Sequence, residues 1–591
     1  MNGAILLNRY QFEVLRALAG KENKSQREIA VGAGISLGSV NKAFKELREL
    51  GFIDKDAITA KGQSALVPYT VDNAIILAAG VASRFAPLSF EKPKAMFEVR
   101  DEILIERLIR QLKEAGIDDI VIVTGYMKET FFYLEDEFGV KIAVNKEYAN
   151  RNNHSSLWCV KELLGNSYVI SSDQYYTENI FEKYCYASFC SAEFSEGPTD
   201  EQVLVLDNKD VVVGLEKNGS DAYFMRGPAY LDREFSRKYL EILEDEYDRP
   251  ETEGKLWEQI FAEHVSELHM AMRAHEPGVI FEFDYITDLV AFDRDFFANV
   301  DSRILDNICR TLDCTREEIT EVIPVKAGLT NLSTLFAVNG EKYIYRHPGN
   351  GTEEIVNREG ETLALGIAKE LGLDDTFIYE EPSEGWKISK YIEGCSELDY
   401  KDESQVRRAL KMVRSLHESG KSIPYSFDFY DEGENIARLL REMNYPLPRD
   451  FDELAGRVGA LAQKMRPEAG KPVLCHNDFY GPNFLVKGDE MRLIDWEYAA
   501  MGDPTCDIGN FVAQGSGYSV EQTVGILPMY YGREVTDVEK RHCLAAVGVV
   551  GWYWYVWAMY KEAMGNPVGD WLYIWYRAAK QFTSAAEELY E

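Results

Sequence analysis

The amino-acid sequence predicts a multidomain protein of mixed α/β and α+β class, built from three successive units. Three observations carry that prediction. The chain has 591 residues, too many for one hydrophobic core. The run from Ala74 to Leu77 opens directly into a glycine-containing basic loop, and strands and helices alternate after it, as in a doubly wound sheet. Far downstream, CHNDFYGPNF and then MRLIDWEY set Asp and Asn residues around short strands, which belongs to a different kind of fold.

Charged residues at 28% and apolar residues at 46% are ordinary for globular domains, and neither an internal repeat nor a low-complexity tract interrupts them. The net charge of −35 argues against general affinity for nucleic acid or anionic lipid and suits a cationic small substrate. Nine cysteines, with no C-x-x-C pair, fit a reducing compartment better than a disulfide or zinc framework. The N-terminus meets Arg9 and Glu13 too early for a secretory signal peptide, so a cytoplasmic location is expected. Residues 543–560 carry no formal charge, but six of these 18 are Trp or Tyr and two are Gly. They read as a buried helix, not a membrane span.

The first unit is residues 1–70. An amphipathic stretch at 10–18, a short helix at 26–33, the turn Gly34-Ile35-Ser36 and a helix at 37–50 with Val40, Phe44 and Leu47 on one face make a helix-turn-helix pattern. Gly51 ends the last helix, and Phe52-Ile53 with Ala57-Ile58-Thr59 reads as a two-stranded wing. The unit resembles a winged-helix domain. It carries about +3 against about −38 for the rest of the chain. DNA is the partner this resemblance implies, met through Ser39, Asn41, Lys42, Lys45 and Arg48 and by a homodimer. Three-helix modules that never touch DNA share the pattern.

The second unit is residues 71–300. After the strand ending at Leu77, the small residues Ala78, Ala79 and Gly80 allow backbone N–H groups close to a ligand, and Arg84 and Lys94 bring two cations to the loop. That combination suits a triphosphate attacked at one phosphorus. A helix at 103–115 and strands at 119–124, 142–145 and 168–171 imply a parallel, doubly wound α/β sheet with ligands at its strand C-termini. LAAGVASRFAPL followed by PK resembles the signature of sugar-phosphate and alcohol-phosphate nucleotidyltransferases. VIVTGYMKETFFYL, NKEYANRNNHSSL and VISSDQYYTENIF extend the resemblance to cytidylyltransferases that activate phosphocholine for decorating bacterial surface glycans. The resemblance implies Leu77, Ala78, Ala79, Gly80, Arg84, Lys94 and Asn153 at the nucleotide, with Arg84 and Lys94 also catalytic. It implies Asp173 on Mg²⁺, with a second ligand in FEFDYITDL, where Asp284 is named and Glu282 is its rival.

The third unit is residues 301–591. Phosphoryl transfer needs one carboxylate near the acceptor hydroxyl and further oxygens on Mg²⁺. Asp478 suits the first role, and Asn483 and Asp495 suit the metal. H-N-D-x-x-x-x-N and I-D-W-E resemble choline and ethanolamine kinases and the related aminoglycoside phosphotransferases, which implies a two-lobed protein-kinase-like fold. In the smaller lobe the resemblance implies Gly328, Thr330 and Asn331 in a phosphate-covering turn. Arg346 falls on the next strand, and Glu359 is its expected partner, with Glu361 competing. WYWYVWAMYK places Trp554 and Trp557 on one helical face, and Trp571 follows a turn. The W-x-x-W pair resembles the choline-binding helix of choline kinases, whose aromatic faces hold a quaternary ammonium that cannot donate a hydrogen bond. In DIGNFVAQG, Gln514 stands where choline kinases usually carry an acidic residue.

The expectation is a cytoplasmic bifunctional enzyme that phosphorylates choline with ATP and transfers CMP from CTP to phosphocholine, with Mg²⁺ at both sites. Ethanolamine or another aminoalcohol as substrate, and a choline-responsive transcriptional regulator with vestigial catalytic units, stay open as alternatives.

Overall fold

A computed structural model describes residues 6–20, 25–325, 331–348, 357–566 and 568–591, and the chain divides into two compact units, Met1–Ile304 and Leu305–Glu591. The first unit holds both the winged helix and the doubly wound sheet. Helices α1 (Arg9–Ala19), α2 (Gln26–Gly32) and α3 (Leu37–Glu49) each start on a polar cap: Asn8, Ser25 and Ser36 accept from the backbone N–H three residues on. Ile53–Asp54 pairs with Ala57–Ile58 as the expected wing. Phe12, Val40, Phe44 and Leu47 close the core beneath α3.

This small domain is fastened to the sheet domain. Cys185 N–H donates to the Tyr69 carbonyl at 2.9 Å and Val71 N–H to that of Lys183 at 2.9 Å. Tyr69 and Tyr186 stack with ring centroids 5.7 Å apart and planes at 11°. Arg16 pairs with Glu182, whose second oxygen lies 3.1 Å from Arg273.

The large sheet contains β1 (Asn73–Ala78), β2 (Ile120–Thr124), β3 (Lys141–Val144), β4 (Ser167–Ser171), β5 (Phe189–Leu206), β6 (Val212–Leu231) and β7 (Ala271–Ala274). Their spatial order is β7-β5-β6-β4-β1-β2-β3. β1 pairs in parallel with both β2 and β4, so the chain reverses direction across the sheet between β1 and β4. Ligands bind at such a switch point, beyond the strand C-termini. The sheet is mixed, not parallel throughout as expected: β5 and β6 form a long antiparallel hairpin, and β6 runs against β4. A short second sheet pairs Gln174–Tyr176 with Ile280–Glu282 and brings two distant acidic segments together.

The second unit has two layers of structure. Strands β8 (Ile319–Val325), β9 (Asn331–Val338), β10 (Glu341–Pro348), β11 (Phe377–Glu381) and β12 (Trp386–Lys390) form an antiparallel sheet in the order β8-β9-β10-β12-β11. Helix α4 (Arg358–Glu370) packs on it. A larger helical part follows, organised around α5 (Asp537–Ala563) and α6 (Trp571–Tyr590). α5 is long and apolar enough to cross a membrane by length and composition, yet 94% of its most apolar window is buried inside the protein. It is a core helix here, as its Trp, Tyr and Gly content led us to expect.

Candidate active sites

At the switch point of the large sheet a cavity of about 360 Å³ opens beyond β1 and β4. Leu77, Ala78, Ala79, Gly80, Arg84, Lys94 and Asn153 all line it, together with Asp173 and Asp284. Gly125 crosses behind this loop, where a Cβ would stand 2.8 Å from the Ala79 carbonyl oxygen, so only glycine permits the approach. The two cations and the two acids face each other in pairs: Lys94 Nζ lies 2.8 Å from Asp173 Oδ2, and Arg84 lies 3.1 Å from Asp284 Oδ1.

Asp173 Oδ1 is buried and finds no hydrogen-bond partner among the described residues. Burial works against its charged form, but Lys94 outweighs that and holds the carboxyl below its ordinary range. Glu282 behaves oppositely: burial, then the charges of Asp173 and Asp284, push its carboxyl up to about 8. Both candidates for the second ligand therefore sit by Asp173. Asn153 lies at the cavity wall, accepting from the Trp257 N–H at 2.7 Å and donating to Glu258 at 3.3 Å. Ser155 and Ser156 turn inward to the Asn145 amide at 2.8 and 3.1 Å and brace the wall.

In the second unit, Asp478 and Asn483 share one loop and Asp495 follows Glu490–Leu493. The Asn483 amide donates at 2.8 Å to both the Asp478 carbonyl and its Oδ2. Gln514 donates to Oδ1 at 2.7 Å, so the residue that departs from the expected acid is a direct support of Asp478. Burial pushes the Asp478 carboxyl well above the usual range, with Asp495 and Glu497 adding to it and the Gln514 and Asn483 amides opposing. The loop is held from behind by Asp507, which accepts from the His476 and Asn477 N–H groups at 2.9 and 2.7 Å and from His417 at 2.9 Å. His417, Cys475 and Asp507 cluster closely enough to count as metal-ligand types. Asp507 is already committed to this loop.

Arg346 is buried on β10, 2.7 Å from Glu361, 3.0 Å from Glu380 and 3.3 Å from Asp495. Glu359 is not its partner. Two residues along a helix turn the side chain to the opposite face, and Glu359 is exposed, bonded to the Tyr425 hydroxyl, while Glu361 points into the sheet. Lys387 at 3.0 Å and Arg358 at 2.8 Å complete a ring of cations that holds Glu361 well below its ordinary range, in spite of complete burial. Removing one member of such a buried set leaves uncompensated charge, so Glu361→Gln should lower stability by about 3 to 5 kcal/mol. Glu359→Gln should change it by less than about 0.5 kcal/mol. Urea unfolding of the full chain measures both, and equal effects would restore Glu359. Gly328 and Thr330 lie outside the described residues. Asn331 opens β9 opposite Pro348.

Trp554 and Trp557 meet edge to face at 5.5 Å, and Trp554 donates from Nε1 to Asn510 at 2.8 Å. Trp571 joins them through Trp575, which stacks on Trp571 at 5.3 Å and on Trp554 at 5.6 Å. Tyr480, two residues beyond Asp478, meets the Trp571 ring at 6.2 Å and ties the cluster to the acidic loop. Trp575 escaped the sequence reading, although its spacing of four from Trp571 puts both on one face of α6.

Family models match three stretches of the chain. Residues 73–189 match the nucleotidyl transferase family, residues 370–535 the phosphotransferase enzyme family, and residues 7–54 a winged helix-turn-helix DNA-binding family. Choline-phosphate cytidylyltransferase of Streptococcus pneumoniae is 34% identical over 215 residues, covering 36% of this chain and 94% of the relative. A 2-aminoethylphosphonate cytidylyltransferase of Lancefieldella rimae is 32% identical over 228 residues, or 38% of this chain and 93% of that protein. The crystal structure of choline kinase LicA from Streptococcus pneumoniae is 24% identical and covers 48% of this chain and 100% of that one, with a TM-score of 0.42. Winged-helix, nucleotidyltransferase and kinase-like domains are thus fused in one chain, which carries two catalytic domains.

Proposed function

The chain belongs, through its central domain, to the nucleotidyl transferase family, and from that premise we propose that it makes CDP-choline by two successive transfers. The observation that carries the reading is that both acidic centres are intact in one chain: Asp173 beside Lys94, and Asp478 between the Asn483 and Gln514 amides. In the first transfer the choline hydroxyl loses its proton to Asp478 as its oxygen attacks the γ-phosphorus of ATP and ADP leaves. The Gln514 and Asn483 amides fix the two Asp478 carboxylate oxygens for that role. The tryptophan cluster would hold the quaternary ammonium. In the second, a phosphocholine oxygen attacks the α-phosphorus of CTP, and pyrophosphate leaves against the charges of Arg84 and Lys94.

The donor sets fit Mg²⁺, a hard cation that takes oxygen ligands. Among the described residues Asp173 has a buried oxygen without a partner, with Asp284 and Glu282 as companions, and Asn483 commits its nitrogen twice to Asp478, so its oxygen is the atom it could offer together with Asp495. Bound there, the ion would neutralise phosphate charge during transfer. The nine cysteines are all unpaired, in keeping with work in the cytoplasm. In this reading the winged helix adds DNA as a partner of a homodimer, through Lys42 and Lys45, which are 79% and 80% exposed.

Incubation with ATP, CTP, Mg²⁺ and a panel of alcohols, followed by mass spectrometry, tests the assignment. Choline should gain a phosphoryl group and then CMP. Turnover of ethanolamine alone would move the substrate, and no turnover of any alcohol by folded protein would leave the regulator reading.

A further inference from the structure

The aromatic cluster of the second unit contains a cation of its own. Lys561 follows Trp557 by one turn on α5, and its Nζ stands 5.3 Å from the centroid of the Trp557 ring, within cation–π range. The residue is only 8% exposed. Among the described residues its ammonium makes neither a hydrogen bond nor an ion pair, and Glu497 is the one charge that steadies it against the burial that lowers its proton affinity. Two further donors of the cluster, Nε1 of Trp557 and Nε1 of Trp575, are buried without an acceptor among the described residues.

A lysine placed for packing normally runs its stem along apolar surface and lifts the ammonium into water. Lys561 is little exposed as a whole and keeps its ammonium within reach of an aromatic face. The attraction available is the face of Trp557. Gln514 brings a neutral amide here, already given to Asp478. The cluster therefore has one cation and no acid from that position.

We propose that Lys561 is a specificity-determining residue of the alcohol site: its ammonium occupies the Trp557 face in the ligand-free protein as a tethered competitor that a cationic alcohol must displace. The inference rests on the tryptophan cluster being the alcohol site of the proposed kinase reaction. Its consequence is a cage that binds cations more weakly than its aromatic surface alone would, and that admits them by exchange.

Tetramethylammonium, which carries the cation without the hydroxyl, separates this from catalysis. Its binding to the full chain is read by tryptophan fluorescence. Lys561→Met keeps an unbranched apolar stem and removes the like charge, so tetramethylammonium should bind about tenfold more tightly, and the choline KM should fall with the ATP KM unchanged. Lys561→Arg keeps the charge and should stay near wild type. Unchanged or weaker tetramethylammonium binding in Lys561→Met, with wild-type thermal unfolding, overturns the proposal, as does absence of binding in every variant. The kinase reading is scored separately by choline phosphorylation in the wild type. Choline turnover without an effect of Lys561→Met sinks the competitor alone, and tighter tetramethylammonium without choline turnover sinks the assigned substrate alone.

Discussion

Asp478→Asn is expected to slow alcohol phosphorylation by about 10² to 10⁴-fold while leaving cytidylyl transfer from supplied phosphocholine at the wild-type rate. The substitution keeps the side-chain shape and removes only the carboxylate proposed to take the proton. In the native loop, Oδ1 accepts from Gln514 and Oδ2 from Asn483, both at hydrogen-bond distance, so the carboxylate is fixed before any substrate arrives. An asparagine there must turn its own NH₂ toward one of these amide donors, which also disturbs the loop that Asp507 anchors. The ATP KM should change less than kcat, because the lost interaction belongs to the hydroxyl. Wild-type phosphorylation by this variant would mean that the proton acceptor lies elsewhere.

The mirror experiment is Asp173→Ala. Cytidylyl transfer should fall by at least about a thousandfold, since removal of the carboxylate proposed for Mg²⁺ also strands a buried cation, while ATP-dependent phosphorylation continues. Lys94, 2.8 Å from Asp173, loses its counter-charge, so the variant should also be less stable in the first unit. Adding back Mg²⁺ in excess should not restore the rate. Comparable loss of both activities in a folded protein would remove the two-site account, because the two acids belong to different compact units.

Much of this was legible before any coordinates, and the reasons for success and failure are physical. A buried strand feeding a loop of small residues, and an acidic loop beside a short strand, are local arrangements in which spacing fixes geometry. Asp173 therefore meets Lys94, and Asp478 meets Asn483, as direct neighbours in space. Helix phase was harder. Glu361 shares a buried stripe with Ala364, Leu365 and Ala368, at offsets of three, four and seven, and that stripe was the signal that separates it from exposed Glu359. The antiparallel hairpin was not legible because its strands pass through SEGPTDEQ and EKNGSD, polar runs with the composition of turns. Contacts such as Gln514 with Asp478, 36 residues apart, depend on tertiary packing and leave no local pattern.

The seam between the winged helix and the sheet domain has a hydrodynamic consequence. Stacked Tyr69 and Tyr186, backbone bonds on both sides of them and the Arg16–Glu182–Arg273 chain tie the two folds together at several points. In solution the winged helix must rotate with the whole 304-residue unit and not as a small bead on a tether. Its amide vectors would share the slow correlation time of the larger body, and the direction of α3 is a fixed coordinate of the transferase.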